Sequence, residues 1–104
     1  MEKQSFEVGE VYFRVKYAER SMKYPLVDSF VYVGKNLSEE DTEDTWYFQF
    51  ADSFAKFGSI LDGPSGDRRV SCLTAREVGC MLNDSALGVE LAAAAQRRLR
   101  PGAL

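Results

Sequence analysis

The alternation in Thr45-Trp46-Tyr47-Phe48-Gln49-Phe50 constrains the fold more than any other stretch of the chain. Trp46, Phe48 and Phe50 share one parity, and Thr45, Tyr47 and Gln49 share the other. This is the period-two pattern of a strand with one buried face. Three large rings on one face bury more apolar area than any other short segment here, so a strand over 45–51 is expected at the centre of the sheet and core.

The flanking sequence supplies partners for that strand. Phe6 and Val8 share one parity, while Val11, Phe13, Val15 and Tyr17 share the other, with the switch at Gly9-Glu10. Either one long bulged strand or a short arm followed by a strand over 10–18 satisfies this pattern. Tyr12, Arg14 and Lys16 then lie on the opposite, wetter face. Tyr24-Pro25 closes a charged connection and starts an extended segment. A second strand is expected over 26–34, with Val27, Ser29, Val31 and Val33 on one face and Phe30 and Tyr32 on the other.

Beyond the aromatic strand, Phe54 and Phe57 sit at helical spacing, and Gly58 ends that short helix. Ser59–Leu61 and Arg68–Leu73 read as two short strands of a hairpin around Asp62-Gly63-Pro64-Ser65-Gly66-Asp67, with Val70 and Cys72 inward. Thr74-Ala75-Arg76-Glu77 is a capping box that predicts a helix carrying Val78, Met81 and Leu82 on one face. Asn83-Asp84-Ser85 offers a new cap, and a last helix over about 85–99 has Leu87, Leu91, Ala94, Ala95 and Leu99 on a stripe. Pro101-Gly102 stops it. Strands first and helices last predict an α+β fold. The sheet is expected to be mostly antiparallel, a three-strand meander plus a short hairpin, with the C-terminal helices packed on one face. A chain of 104 residues, 45% hydrophobic and 28% charged, fits one domain over 1–104 with one modest core.

Composition narrows the chemistry. The chain has no histidine, which removes the commonest general base and the commonest transition-metal ligand. Two cysteines, Cys72 and Cys80, are too few for a zinc site without histidine and are expected to be reduced, buried thiols. A net charge of −3 argues against a nucleic-acid binder. No run of about 18 apolar residues exists for a membrane span, and Met1-Glu2-Lys3-Gln4-Ser5 lacks an apolar signal core. Cytoplasmic location is the default expectation.

The Gly63–Arg69 segment is no phosphate cradle, because Pro64 removes a donor, Asp67 repels anions and a strand follows. Serines have no histidine to activate them. Paired carboxylates can do acid–base work without histidine, but those here sit in turns and loops. No catalytic, metal-binding or cofactor-binding set emerges.

The acidic segment Ser38-Glu39-Glu40-Asp41-Thr42-Glu43-Asp44 puts five carboxylates in seven residues, and mutual repulsion predicts a solvated, mobile loop. Its functional reading is a docking site for a basic partner, formed by Glu39, Glu40, Asp41, Glu43 and Asp44. Tyr12, Tyr32 and Tyr47 add a candidate tyrosine patch of the kind used in protein contacts. Arg97, Arg98 and Arg100 form a basic tip on the last helix, available to another subunit's acidic loop in a homodimer. The expectation is therefore a non-catalytic protein-interaction module, an adaptor, accessory or immunity-like protein binding a basic protein surface or itself. The alternative is a small-ligand-binding regulatory domain with Arg14 and Gln49, beside Tyr47, in a pocket between sheet and helices. An enzyme using carboxylates is the third reading.

Overall fold

The computed structural model describes residues 5–63 and 68–99. It is an α+β fold built on a five-stranded antiparallel sheet. The strands are β1 (Val11–Tyr17), β2 (Pro25–Lys35), β3 (Thr45–Phe50), β4 (Val70–Thr74) and β5 (Met81–Leu82), in the order β4-β3-β2-β1-β5. Helix α1 (Ala51–Phe57) follows β3, and helix α2 (Asp84–Leu99) follows β5. No helix among the described residues is long and apolar enough to cross a membrane.

The expected meander is present, but its central strand is β2 and not the aromatic β3, because β5 adds beyond β1 and leaves β3 one strand from the edge. Tyr12 pairs with Phe30 across β1 and β2, and Phe30 pairs with Phe50 across β2 and β3. That register puts Tyr12, Phe30, Tyr32, Trp46 and Phe48 on one face, and all five are buried together with Leu73, Val78 and Met81. Phe48 stands edge-on to Tyr12, Phe30 and Phe6, with centroids 5.2–6.4 Å apart; such pairs add about 0.5–1.5 kcal/mol each beyond their area.

Of the two readings for the first residues, the arm is the one found. The chain reverses between Glu7 and Glu10 with Gly9 at φ 92°, and the Glu10 amide donates to the Glu7 carbonyl. Phe6 is thereby laid over Tyr12, Tyr32 and Phe48.

Val33 forms a bulge in β2: Tyr32 faces Phe48, but Gly34 faces Tyr47 and Lys35 faces Trp46. One extra residue switches parity. Lys35 therefore lies over the Trp46 ring, 4.7 Å from its centroid. A Cβ on Gly34, at φ +149°, would come within 2.9 Å of the Leu37 side chain, so that turn needs glycine.

The opposite sheet face carries the helices. Gln49 lies on it and is fully buried. Its amide donates to the Gly58 carbonyl at 2.9 Å and the Ser53 hydroxyl at 3.2 Å, and its carbonyl accepts from the Ile60 amide at 2.9 Å. Gln49 thus ties β3 to α1 and to the turn beyond it. At the other end of this face the Tyr17 hydroxyl donates to Glu90 and accepts from Arg97, fixing α2 against β1. Asn83 caps α2 by accepting from the Ala86 amide at 2.9 Å.

The C-terminal half departs from the sequence reading in four places. Residues 60–62 form a 3₁₀ turn rather than a strand, so β4 pairs with β3 and no 59–61/68–73 hairpin exists. Half of the Thr74–Glu77 box forms, the Thr74 amide donating to Glu77 at 3.0 Å while the Glu77 amide donates to the Thr74 carbonyl instead of its hydroxyl, and only a 3₁₀ turn over Val78–Cys80 follows. Topology explains this. β4 and β5 lie at opposite edges of the sheet, so residues 75–80 must cross it rather than extend a helix. Two consecutive turns, Thr74–Glu77 and Glu77–Cys80, make that crossing. Val78 on this crossing segment closes the aromatic core.

The third departure is the side of β4 that faces inward. Leu73 is buried, whereas Cys72 is exposed and Val70 is 36% exposed. The fourth is the cysteines: both are free and exposed rather than buried.

Candidate functional site

The acidic loop leaves the sheet between β2 and β3. Its base is closed by a reciprocal pair, the Asn36 amide donating to the Thr45 carbonyl at 2.7 Å and the Thr45 amide to the Asn36 side chain at 2.8 Å. Asn36 holds a left-handed φ of 55°, a conformation asparagine tolerates better than most residues. Asp44 accepts from the Asn36 side-chain amide at 3.1 Å and pairs with Lys35 at 3.3 Å. These two contacts hold its carboxyl below the usual range.

The loop tip is anchored separately. The Tyr47 hydroxyl donates to Asp41 at 2.8 Å, and Asp41 also accepts from the Ser38 amide at 3.2 Å. The Asp41 amide donates back to the Ser38 carbonyl, and the Glu40 amide to the Ser38 hydroxyl, both at 3.1 Å. Donation to a carboxylate pushes the Tyr47 phenol up to about 12. The thiol of Cys72, opposite Tyr47 in the register, is raised by the partial cover its neighbours give the sulfur, although the residue as a whole is exposed, and by the charge of Asp41.

The five carboxylates therefore divide into two roles. Asp41 and Asp44 brace the loop. Glu39, Glu40 and Glu43 are exposed, and none of their carboxylates is paired among the described residues. Glu43 also borders an open cleft of about 480 Å³ with Thr74, Ala75 and Arg76, where the loop meets the end of β4. The expectation of a freely mobile loop overlooked this bracing. The sequence signal for it was an asparagine before the acids and a tyrosine after them.

The other residues singled out do not join this site as a group. Tyr12 and Tyr32 are buried in the aromatic core, and only Tyr47 lies on the opposite face, beneath Asp41. No exposed tyrosine patch forms from the three. Tyr12 is held there by its hydroxyl, which accepts from the Glu7 amide at 2.8 Å. Burial and the neighbouring Tyr12 raise the Tyr32 phenol.

Arg14 and Gln49 lie on opposite faces of the sheet and do not converge on a pocket. Arg14 covers the Phe30 ring at 4.9 Å and pairs with Asp28 at 3.4 Å, whereas Gln49 is consumed by its bonds around α1. The basic tip is also committed within the chain. Arg97 donates to the Met22 carbonyl at 2.8 Å and Arg98 to the Lys23 carbonyl at 2.7 Å. Arg100 lies outside the described residues. Among the described residues no group of three or more His, Cys, Asp or Glu side chains is placed to hold a metal ion. No protein-family model matches the sequence, and neither curated proteins nor solved structures gave a match.

Proposed function

We propose that this chain is a non-catalytic protein-interaction module of the cytoplasm, whose acidic loop docks a partner with a basic surface. The observation that carries this reading is the division of labour in the loop. Asp41 and Asp44 are spent on holding its shape, while Glu39, Glu40 and Glu43 are exposed and their carboxylates have no partner among the described residues. Like charges kept together on a braced loop cost stability through mutual repulsion, and a cationic partner relieves that cost. Complementary charge of this kind speeds encounter and sets specificity more than it adds affinity.

The test is affinity capture from lysate at low and high salt, with the wild type beside a Glu39→Gln, Glu40→Gln, Glu43→Gln variant. The expected result is a stoichiometric protein that elutes as salt rises and is not retained by the variant. Retention of the same protein by the variant, with the same salt dependence, would overturn the reading.

A further inference from the structure

The cleft of about 480 Å³ where the acidic loop meets the end of β4 is lined by Glu43, Thr74, Ala75 and Arg76. It carries two opposite charges that the chain leaves unneutralised. Next to Glu43 in the chain, Asp44 closes on Lys35 at 3.3 Å, and at the far end of β4 Arg69 closes on Asp52 at 2.6 Å. Glu43 and Arg76 border one cleft yet do not meet within 4.0 Å. Neither side chain has another ion pair or a hydrogen bond among the described residues.

Each charge is mounted on braced backbone. The Glu43 carbonyl accepts from the Thr45 hydroxyl at 3.0 Å, and Asp44 beside it is tied to Asn36 and Lys35. Arg76 lies inside the Thr74–Glu77 turn, which the Glu77 amide closes onto the Thr74 carbonyl and the Glu77 carboxylate fastens through the Thr74 amide, both at 3.0 Å. The Thr45–Thr74 pair of the β3–β4 ladder sets these two walls side by side. The remaining lining residues, Thr74 and Ala75, are small, and the Thr74 hydroxyl is spent on Glu77 at 3.2 Å. Selection among ligands therefore falls to the two charges. The Ala75 and Arg76 amides also lack a hydrogen-bond partner among the described residues, which leaves two N–H donors on the wall that carries the guanidinium.

We propose that this cleft binds a small zwitterion of the free α-amino acid class, its ammonium at Glu43 and its carboxylate at Arg76. A guanidinium presents a planar fork of N–H donors that matches a carboxylate, and unbonded backbone amides are a recurrent means of capturing one. An ionised glutamate is an acceptor only, which suits an ammonium. The volume lies within the roughly 300–1,000 Å³ of small-molecule sites. A ligand bearing both charges satisfies both walls, whereas a lone anion is repelled by Glu43 and a lone cation by Arg76. The cleft is open and both charges stay solvated, so binding is expected in the millimolar range. The inference does not rest on the loop docking a basic protein, a reading in which Arg76 has no part.

Titration of the ¹⁵N-labelled chain with glycine at neutral pH and constant ionic strength tests it, read from the amide resonances of Glu43, Ala75 and Arg76. N-acetylglycine, which keeps only the carboxylate, and glycinamide, which keeps only the ammonium, serve as controls. The expected result is a saturable shift with glycine and no saturation with either control over the same range. Glu43→Gln and Arg76→Gln change exposed side chains and leave the fold intact. Each is expected to weaken glycine binding about tenfold, the loss of one charged hydrogen-bonding partner. A shift that stays linear in glycine, equal saturation by either control, or unchanged glycine binding in either variant would overturn the proposal. Arg76→Gln also separates this site from partner docking, since it is expected to abolish glycine saturation in this range while leaving capture of a basic protein unaltered.

Discussion

At the scale of single residues, Gln49 has the most demanding position. It is a fully buried amide on a strand chosen for its aromatic neighbours, and it serves three backbone and side-chain groups at once. Gln49→Leu keeps the volume but strands the Gly58 carbonyl and the Ile60 amide. It is expected to lower unfolding stability by about 2–3 kcal/mol, measured by urea denaturation. A loss below about 1 kcal/mol would mean that water or a shifted turn replaces those bonds. The sequence offered Gln49 as a ligand-contacting group, because a polar residue between aromatics reads equally as a binding group or a structural clamp.

Tyr47 gives a prediction in pH. Its phenol ionises near 12 when folded, raised by donation to Asp41, against about 10 for a free tyrosine. Between those values the folded chain keeps a proton that the unfolded chain has lost. Stability from this contact is full below pH 10 and is lost as pH rises toward 12. Tyr47→Phe is expected to flatten the alkaline limb of a stability–pH curve; an unchanged slope would remove the Asp41 contact from the account.

At the scale of elements, legibility followed how local each signal was. The aromatic strand, the meander and α2 behind its Asn83 cap were readable, because period and cap chemistry are written in neighbouring residues. The bulge at Val33 was not, since it exists only relative to Phe48 and Tyr47 on another strand. The tyrosines followed from the same gap. Tyr12 and Tyr32 share parity with Phe30, but both sheet faces are covered, one by an arm and a crossing turn and the other by helices, so parity alone could not name the wet face. Only half of the capping box at Thr74–Glu77 formed, Glu77 reaching back to the Thr74 amide while its own amide bonds the Thr74 carbonyl, and it led into a turn because the chain had to reach the far edge of the sheet. Local chemistry set the cap, and topology decided what followed.

At the scale of the whole molecule, the two faces do different work. The aromatic face holds the strands together around Phe48, and the helical face clamps α1 and α2 through Gln49 and Tyr17. The acidic loop projects from one end of this frame, joined to it by Asn36, Asp41 and Asp44. The candidate site was half legible: the charge run stood out in the sequence, while the separation of bracing from free carboxylates needed the positions of Lys35, Asn36 and Tyr47.

The loop is a held surface rather than a solvated tether, and backbone ¹⁵N relaxation across residues 36–45 measures the difference. Order parameters at Asp41 and Asp44 are expected close to those of β2 and β3, about 0.85, with Asp41→Asn loosening the tip. Values under about 0.6 through the wild-type loop would contradict it, and would return the five acids to a mobile connection.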